Sequence, residues 1–362
     1  MKNLLNEARE KINRIDREMA ALFAERMQAS EMVAEHKKIH GLQVEDPVRE
    51  SEVLARNSQM IENSLYREYY MNFQKKVMEI SKAYQSRLIG GMKIAFSGTE
   101  GAYAHIAACK LFPSAIKIGY DSFEQAYSAV VNGDCDIAIL PVENSYNGEV
   151  GQVTELMFSG PLYVNALTEL PISHDLLAPK GTRIEDITTV ISHPQALAQC
   201  QGFITENSYK QIEYQNTALA AKYVAEKNDN HIAAIASAEA SEIFDLEVLA
   251  TNINASRSNT TKFAVFSRSE NEHKSSEMGL ESIILFTVRN EAGSLAEAIN
   301  IIGKYGFNMS SLRSRPMKEL LWEYYFYMET EGNLKTEAGQ AMIKELEKYC
   351  DRLKIVGSFR KT

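Results

Sequence analysis

Arg26 and Lys37 stand eleven positions apart in a stretch without Gly or Pro, and at 100° per residue that spacing returns to the same helix face within about 20°. Two cations on one face can hold one small anion. Arg9 lies seventeen positions before Arg26, about 25 Å along the axis and about 100° round it. It cannot reach the same small molecule and would have to serve a neighbouring subunit's site. Asp46, Arg49 and Glu50 follow, and Ser81 and Gln85, at i and i+4, share a helix face. Further along, small polar groups gather beside hydrophobic runs: Gly98 and Gly101 in FSGTEGAYAH (96–105), Glu143 and Asn144 in PVENSYNG (141–148), Ser192, His193 and Gln199 in SHPQALAQC (192–200), and Thr261 with Lys262 in NTTKF (259–263). In TVRNEAGSLAEAI (287–299) a strand ends at Asn290 and a helix opens near Ser294, so free backbone N–H groups there could receive a carboxylate. Taken singly, none of these is diagnostic. Arginines on an amphipathic helix are usually solvated, glycine turns after strands are common, and every helix start offers free N–H groups.

The elements that must position these residues fall into three segments. From Asn3 to about Lys38 the residues Ile12, Ile15, Met19, Leu22, Phe23 and Met27 follow helical spacing. Gly41 ends that helix, and Asp46 followed by Pro47 reads as an N-cap with Pro at the first helical position, opening a second helix to about Glu62. A third runs from about Tyr66 to Ser86. Three helices, the first about 50 Å long, cannot close a core alone, so a second copy is the expected partner. Gly90 and Gly91 break the helical period. Strands and helices then alternate to about Arg268, with IAILPVENS (137–145) and VISHPQ (190–195) reading as buried strands that run into polar loops, where α/β folds place ligands. After a hydrophilic linker, Ser269 to Met278, comes strand 282–290, helix 294–306, strand 308–317, strand 323–331, helix 336–350 and strand 352–359. That order is a βαββαβ ferredoxin-like module.

Composition narrows the function classes. The chain has 362 residues, 45% hydrophobic and 24% charged, with net charge −9. Residues 1–90 balance near +1, whereas a DNA-binding head is distinctly basic. The N-terminus interrupts its apolar residues with charges, so neither a signal peptide nor a membrane span is expected and the cytoplasm is the expected location. Cys109, Cys135, Cys200 and Cys350 are scattered without zinc-like spacing and read as reduced thiols. No metal or cofactor is expected, and no P-loop is present.

The pattern R9-x16-R26-x10-K37, then D46-P-V-R49-E50, then S81-x3-Q85 resembles the helical class of chorismate mutase over essentially its whole length. That family is an intertwined all-α dimer that rearranges a dianion while charge builds on an ether oxygen, which calls for fixed cations and donors in a dry site. The resemblance implies that Arg26 and a partner-chain Arg9 hold the two carboxylates, assisted by Ser81. It implies that Lys37 and Gln85 donate to the ether oxygen, Asp46 and Glu50 fix the ring hydroxyl, and Arg49 organises the site.

The glycine loop with PVENSYNG, SHPQALAQC and NTTKF resembles prephenate dehydratase across about 92–268, a two-lobed α/β fold similar to periplasmic binding proteins, with its substrate between the lobes. The reaction expels carbon dioxide and hydroxide as the ring becomes aromatic. The resemblance implies Thr261 as the key hydroxyl, a donor in a network with Asn144, Ser192, His193 and Gln199, and Gly101, Glu143 and Lys262 as further substrate contacts. His193 is a candidate proton source because imidazole titrates near neutrality, and a histidine before proline is as often structural. The family usually has Arg where Lys262 stands and Ser or Thr where Ala104 stands; Lys lacks the planar fork for a bidentate carboxylate.

TVRNEAGSLAEAI with LRSRPMKELLWEYYFYME (312–329) resembles the ACT regulatory domain of this enzyme class. The resemblance implies phenylalanine held near Gly293, Ser294 and Leu295, with Ser314, Arg315 and Pro316 shaping the response. Here Ser294 replaces the usual Ala and Arg313 the usual Glu, so inhibition is expected to be differently tuned. The expected architecture is therefore multidomain: residues 1–90 a mutase head, 92–268 a dehydratase, 279–362 an ACT domain. The function expected is a bifunctional enzyme of phenylalanine biosynthesis, a dimer or higher homo-oligomer acting on chorismate and prephenate. Two other classes fit the outline: a ligand-sensing transcription regulator, against which the near-neutral head argues, and a binding protein of the same architecture that has lost turnover.

Overall fold

No glycine or proline interrupts Leu4–His40, and the computed structural model, which describes residues 4–255, 259–317 and 324–360, shows one helix, α1, over that span. It ends at Gly41, whose φ of +63° suits glycine. Helix α2 (Pro47–Ser58) starts as expected, with the Asp46 side chain accepting the Arg49 N–H at 3.0 Å, but it stops four residues earlier than the sequence suggested. Helix α3 (Ser64–Gly90) is capped by Asn63 and closed by Gly91 at φ +84°. Of α1 only Ser30 and Ala34 are buried. Ile12, Ile15, Met19, Leu22 and Phe23 remain 41% to 64% exposed, a contiguous apolar stripe. These helices form one unit, Met1–Met92.

Lys93–Thr362 forms the second unit. Its first sheet is built from β1 (Lys93–Ser97), β2 (Ile116–Tyr120), β3 (Ile137–Asn144), β4 (Gly148–Glu149), β5 (Tyr163–Pro171) and, much later in the chain, β11 (Thr260–Ser267), in the order β2-β1-β3-β11-β5 with β4 beside β3. Helices α4 (Tyr103–Leu111), α5 (Phe123–Asn132) and α6 (Gly151–Ser159) accompany it. The chain then crosses to a second lobe: β6 (Asp175–Ala178), β7 (Thr189–Ser192), β8 (Lys210–Glu213), β9 (Ile232–Ala236) and β10 (Glu247–Ala250), ordered β10-β6-β9-β7-β8, with α7 (Pro194–Gln199), α8 (Gln201–Glu206), α9 (Thr217–Lys227) and α10 (Ala238–Phe244). Strand β11 returns to the first lobe and lies antiparallel between β3 and β5. Two crossings leave a cleft between the lobes.

The C-terminal module follows the expected βαββαβ order: β12 (Leu280–Val288), α11 (Ser294–Lys304), β13 (Asn308–Pro316), β14 (Tyr324–Glu331), α12 (Glu337–Leu346) and β15 (Cys350–Arg360), in an antiparallel sheet ordered β13-β14-β12-β15. One core joins it to the first lobe, where Phe158, Val164 and Phe266 pack with Ile283, Tyr325 and Val356. Strand β15 approaches β5 so closely that a Cβ at Gly357 would run into the Val164 carbonyl oxygen. Among the described residues no helix is long and apolar enough to cross a membrane.

Candidate active sites

In the helical unit Arg26 and Ser81 meet, as their faces required. Arg26 Nη1 donates to Ser81 Oγ, and Ser81 Oγ donates to the Val77 carbonyl at 2.9 Å. Burial lowers the Arg26 pKa from its usual value. One turn on, Gln85 is 8% exposed and its Oε1 is buried with no partner among the described residues, a cost that a ligand donor would offset. Lys37 Nζ donates to the Val44 carbonyl at 2.6 Å. Asp46 is occupied as the α2 cap, Arg49 pairs with Glu52 at 3.2 Å, and Glu50 pairs with Lys82 at 3.0 Å. Lys82 was not singled out in the sequence; one position after Ser81, it is the cation that orients Glu50. Arg9 is exposed, far up α1.

The cleft between the two lobes encloses about 450 Å³. Asn144, His193, Gln199 and Thr261 line it, joined by Tyr103, Glu149, His174, Asn216 and Asn259. Thr261 and Asn144 are register partners on β11 and β3, and Asn144 Nδ2 donates to Thr261 Oγ1 at 2.9 Å. Asn144 Nδ2 also donates to Asn259 Oδ1 (2.9 Å), Asn259 Nδ2 to Gln199 Oε1 (3.0 Å), and Gln199 Oε1 faces His174 Nε2 at 2.8 Å. A chain of amides thus runs from the threonine across the cleft to a buried histidine. His193 caps α7, its Nδ1 accepting the Gln195 N–H at 3.3 Å, so its own proton sits on Nε2.

Four of the expected dehydratase contacts lie elsewhere. Ser192, fully buried beneath the cleft, donates to the Ile235 carbonyl at 2.5 Å. Gly101 forms the turn before α4 at φ +84°, where a Cβ would meet Phe244 and Ala218 at 3.2 and 3.3 Å. Lys262 and Glu143 point to the opposite face of the sheet, because successive strand residues alternate sides. There Lys262 pairs with Glu329 of the C-terminal module at 3.2 Å and Glu143 with Arg313 at 2.6 Å, while Tyr327 donates to Glu329 at 2.8 Å. Burial opposes the Arg313 charge most, but the Glu143 hydrogen bond together with the nearby negative charges of Glu143, Tyr327 and Glu149 outweighs it and raises the pKa from the usual arginine value. Two of the four departures noted in the sequence, Lys262 and Arg313, therefore meet in one ion-pair cluster between the first lobe and the module. Ala104, another of them, is a buried residue of the cleft wall.

In the module, Gly293 holds φ +93° as the α11 cap and the Ser294 N–H bonds the Glu291 carbonyl at 3.2 Å. Leu295 lines one cavity with Asn290, Tyr324 and Phe326. Arg315 and Pro316 line another with Phe158 and Tyr325. Within one chain Leu295 and the Arg315–Pro316 pair thus line separate cavities, both reached by Met317 and Arg352, while Gly293, Ser294 and Ser314 line neither. Arg315 Nε also donates at 2.9 Å to Glu149, the carboxylate on the cleft wall.

Residues 94–271 match the family model for prephenate dehydratase and residues 8–86 that for type II chorismate mutase. A bifunctional chorismate mutase/prephenate dehydratase from Enterobacter agglomerans is 31% identical over 379 residues, covering 99% of this chain and 96% of the relative. Among solved structures, the quorum-quenching acylase GqqA is 30% identical with a TM-score of 0.70, covering 75% of this chain and 98% of its own. Prephenate dehydratase from Arthrobacter aurescens in complex with L-Phe shares the fold at 23% identity and a TM-score of 0.68, covering 75% of this chain and 90% of its own. The chain belongs to the bifunctional chorismate mutase/prephenate dehydratase family, its helical unit carrying the mutase and its two-lobed cleft the dehydratase.

Proposed function

We propose a division of labour in which the helical unit rearranges chorismate to prephenate, the cleft converts prephenate to phenylpyruvate, and the C-terminal module, acting as an ACT domain, senses phenylalanine. The observation that carries the dehydratase assignment is the Asn144–Thr261 contact at 2.9 Å, continued through Asn259 and Gln199. Asn144 orients the threonine hydroxyl, and that hydroxyl donates to the departing oxygen of prephenate. Aromatisation drives the step, so the residues need only orient the ring and assist the leaving group. In the mutase site Arg26 and Ser81 hold the carboxylates, Lys37 and Gln85 donate to the bridging ether oxygen, Asp46 and Glu50 fix the ring hydroxyl, and Arg49 organises the site.

The apolar stripe of α1 supports a dimer of this unit. Its occupant is a second copy, whose Arg9 completes each site. The clamp of Arg313 on Glu143 and Arg315 on Glu149 supports a route for feedback, since both carboxylates flank Asn144 on the β3–β4 hairpin. Phenylalanine inhibits by binding one arrangement of that clamp more tightly, a coupling of about 1–3 kcal/mol. Incubating the purified chain with chorismate, with and without phenylalanine, tests the whole reading. Phenylpyruvate that appears and then slows with phenylalanine supports it; no consumption of chorismate refutes it and favours a binding protein without turnover.

A further inference from the structure

A prephenate dianion has to enter a cleft whose described lining contains no lysine or arginine, because Lys262 faces the other way. Among the described lining residues, positive charge can come from His174 or His193. Backbone groups fix the proton positions around the first of these. Asn144 Oδ1 accepts the Tyr146 and Asn147 N–H groups, each at 3.0 Å, so its Nδ2 must face Asn259. Asn259 Oδ1 therefore accepts, its Nδ2 donates, and Gln199 Oε1 is an acceptor. His174 Nε2, 2.8 Å away, must carry a proton. On the other side of the ring, Tyr103 Oη spends its one proton on the Ser173 carbonyl at 2.6 Å, leaving a lone pair 3.1 Å from His174 Nδ1. With the Tyr103 proton on Ser173 both ring nitrogens face acceptors, an arrangement the imidazolium satisfies; the neutral ring is satisfied when that hydroxyl turns to donate to Nδ1.

We propose that His174 becomes the cation of the dehydratase cleft when prephenate binds, taking up one proton and holding the dianion by its charge. This assignment rests on the dehydratase reading of the cleft. In the empty cleft, burial lowers the pKa of His174, with the Gln199 hydrogen bond and Asp175 working in the opposite direction. The charged and titratable neighbours are Asp175, the next residue and the first of β6, whose side chain accepts from Asn252 N–H at 2.7 Å, Tyr103 on α4 and Cys200 after α7, both pushed up by burial and so neutral, His193 at the α7 cap, and Glu149 on the first lobe, balanced by Arg315. A substrate with two carboxylates supplies the missing counter-charge. His193 is placed differently, because its Nδ1 already accepts a backbone N–H and a proton there would break the α7 cap.

The test is kcat/KM for prephenate across pH, corrected for its spontaneous conversion, in wild type, His174→Gln and His193→Gln, with circular dichroism and thermal unfolding of each protein as the folding control. Glutamine keeps a neutral N–H for Gln199 and cannot carry charge. In wild type, kcat/KM should fall as pH rises through the His174 pKa. In His174→Gln that limb should be absent, with a loss of roughly ten- to a hundred-fold below it, mostly in KM. His193→Gln should retain the limb. An unchanged pH profile in His174→Gln, even with uniformly reduced rate, would mean a merely structural histidine and overturn the proposal. No phenylpyruvate from wild type at any pH would instead overturn the dehydratase reading itself.

Discussion

Lys262→Met separates the role expected from the sequence from the one the fold supports. A lysine that held a substrate carboxylate would contribute about 1.5–3 kcal/mol as a charged hydrogen bond, so its loss would cut kcat/KM for prephenate roughly ten- to 150-fold. In the structure its ammonium lies 3.2 Å from Glu329 and 3.8 Å from Glu143, on the face of β11 turned away from Thr261. The Glu329 side chain is 7% exposed and would keep only the Tyr327 hydroxyl as donor. Breaking a fully buried pair costs about 3–5 kcal/mol. Because the lysine side chain is 23% exposed, water screens part of that, and a loss of about 1–3 kcal/mol is expected. For a unit of this size that is a fall in Tm of roughly 2–10 °C. The assays are phenylpyruvate formation from supplied prephenate and thermal unfolding of the same preparation. Expected is a kcat/KM within about threefold of wild type at saturating stability, well below the carboxylate-binding estimate, with a clearly lowered Tm. A Lys262→Met/Glu329→Gln double variant should regain part of that loss, since it leaves no unpaired charge. A large rise in KM at unchanged Tm would refute the reasoning and return Lys262 to the substrate.

The two activities should fail independently. Arg26→Ala should lower mutase turnover by about 100-fold or more while sparing phenylpyruvate formation from supplied prephenate; Ser81 keeps its bond to the Val77 carbonyl, so the helices should hold. Thr261→Ala should do the reverse, and its circular dichroism should match wild type because Asn144 Nδ2 retains Asn259 and the Thr260 carbonyl. Gly357→Ala should destabilise the Lys93–Thr362 unit by about 2 kcal/mol or more, read as a shifted denaturant midpoint, since the new methyl meets the Val164 backbone rather than a movable side chain. Lys354 donates to the Met157 and Gly160 carbonyls at the end of α6, and burial, helped by Arg352, pushes its pKa down to about 8. The unfolded chain therefore binds more protons than the folded one between pH 8 and the usual lysine value, and stability should rise with pH across that window. The cost is full below pH 8, and the difference between wild type and Lys354→Met, measured by denaturant midpoints at several pH values, should shrink as pH rises.

Local chemistry carried much of this protein in plain view. The unbroken helical period up to Gly41, the Asp46–Pro47 start and the glycine pair at 90 and 91 determine the mutase helices without reference to anything distant. The alternation from residue 280 onward likewise yields all six elements of the C-terminal module in order. Ser81 and Gln85 share a face because the helix repeat demands it. Strand alternation also required Thr261 and Lys262 to face opposite sides of β11; what it could not say was which of them faces the cleft. That was decided by the pairing of β11 with β3, 117 positions away for Asn144 and Thr261. His174 was equally hidden. It sits in PISHDLLAP as the middle of three polar residues that lead into an apolar run, a pattern that gives no sign of its partners. Tyr103 and Gln199 reach it from two separate segments and Asn259 holds Gln199 from a third, which only the double crossing between lobes brings together. Period and capping are fixed by neighbours within a few residues, whereas the direction of a strand face and the closure of a polar network depend on long-range pairing, and that is the part the tertiary structure alone decided.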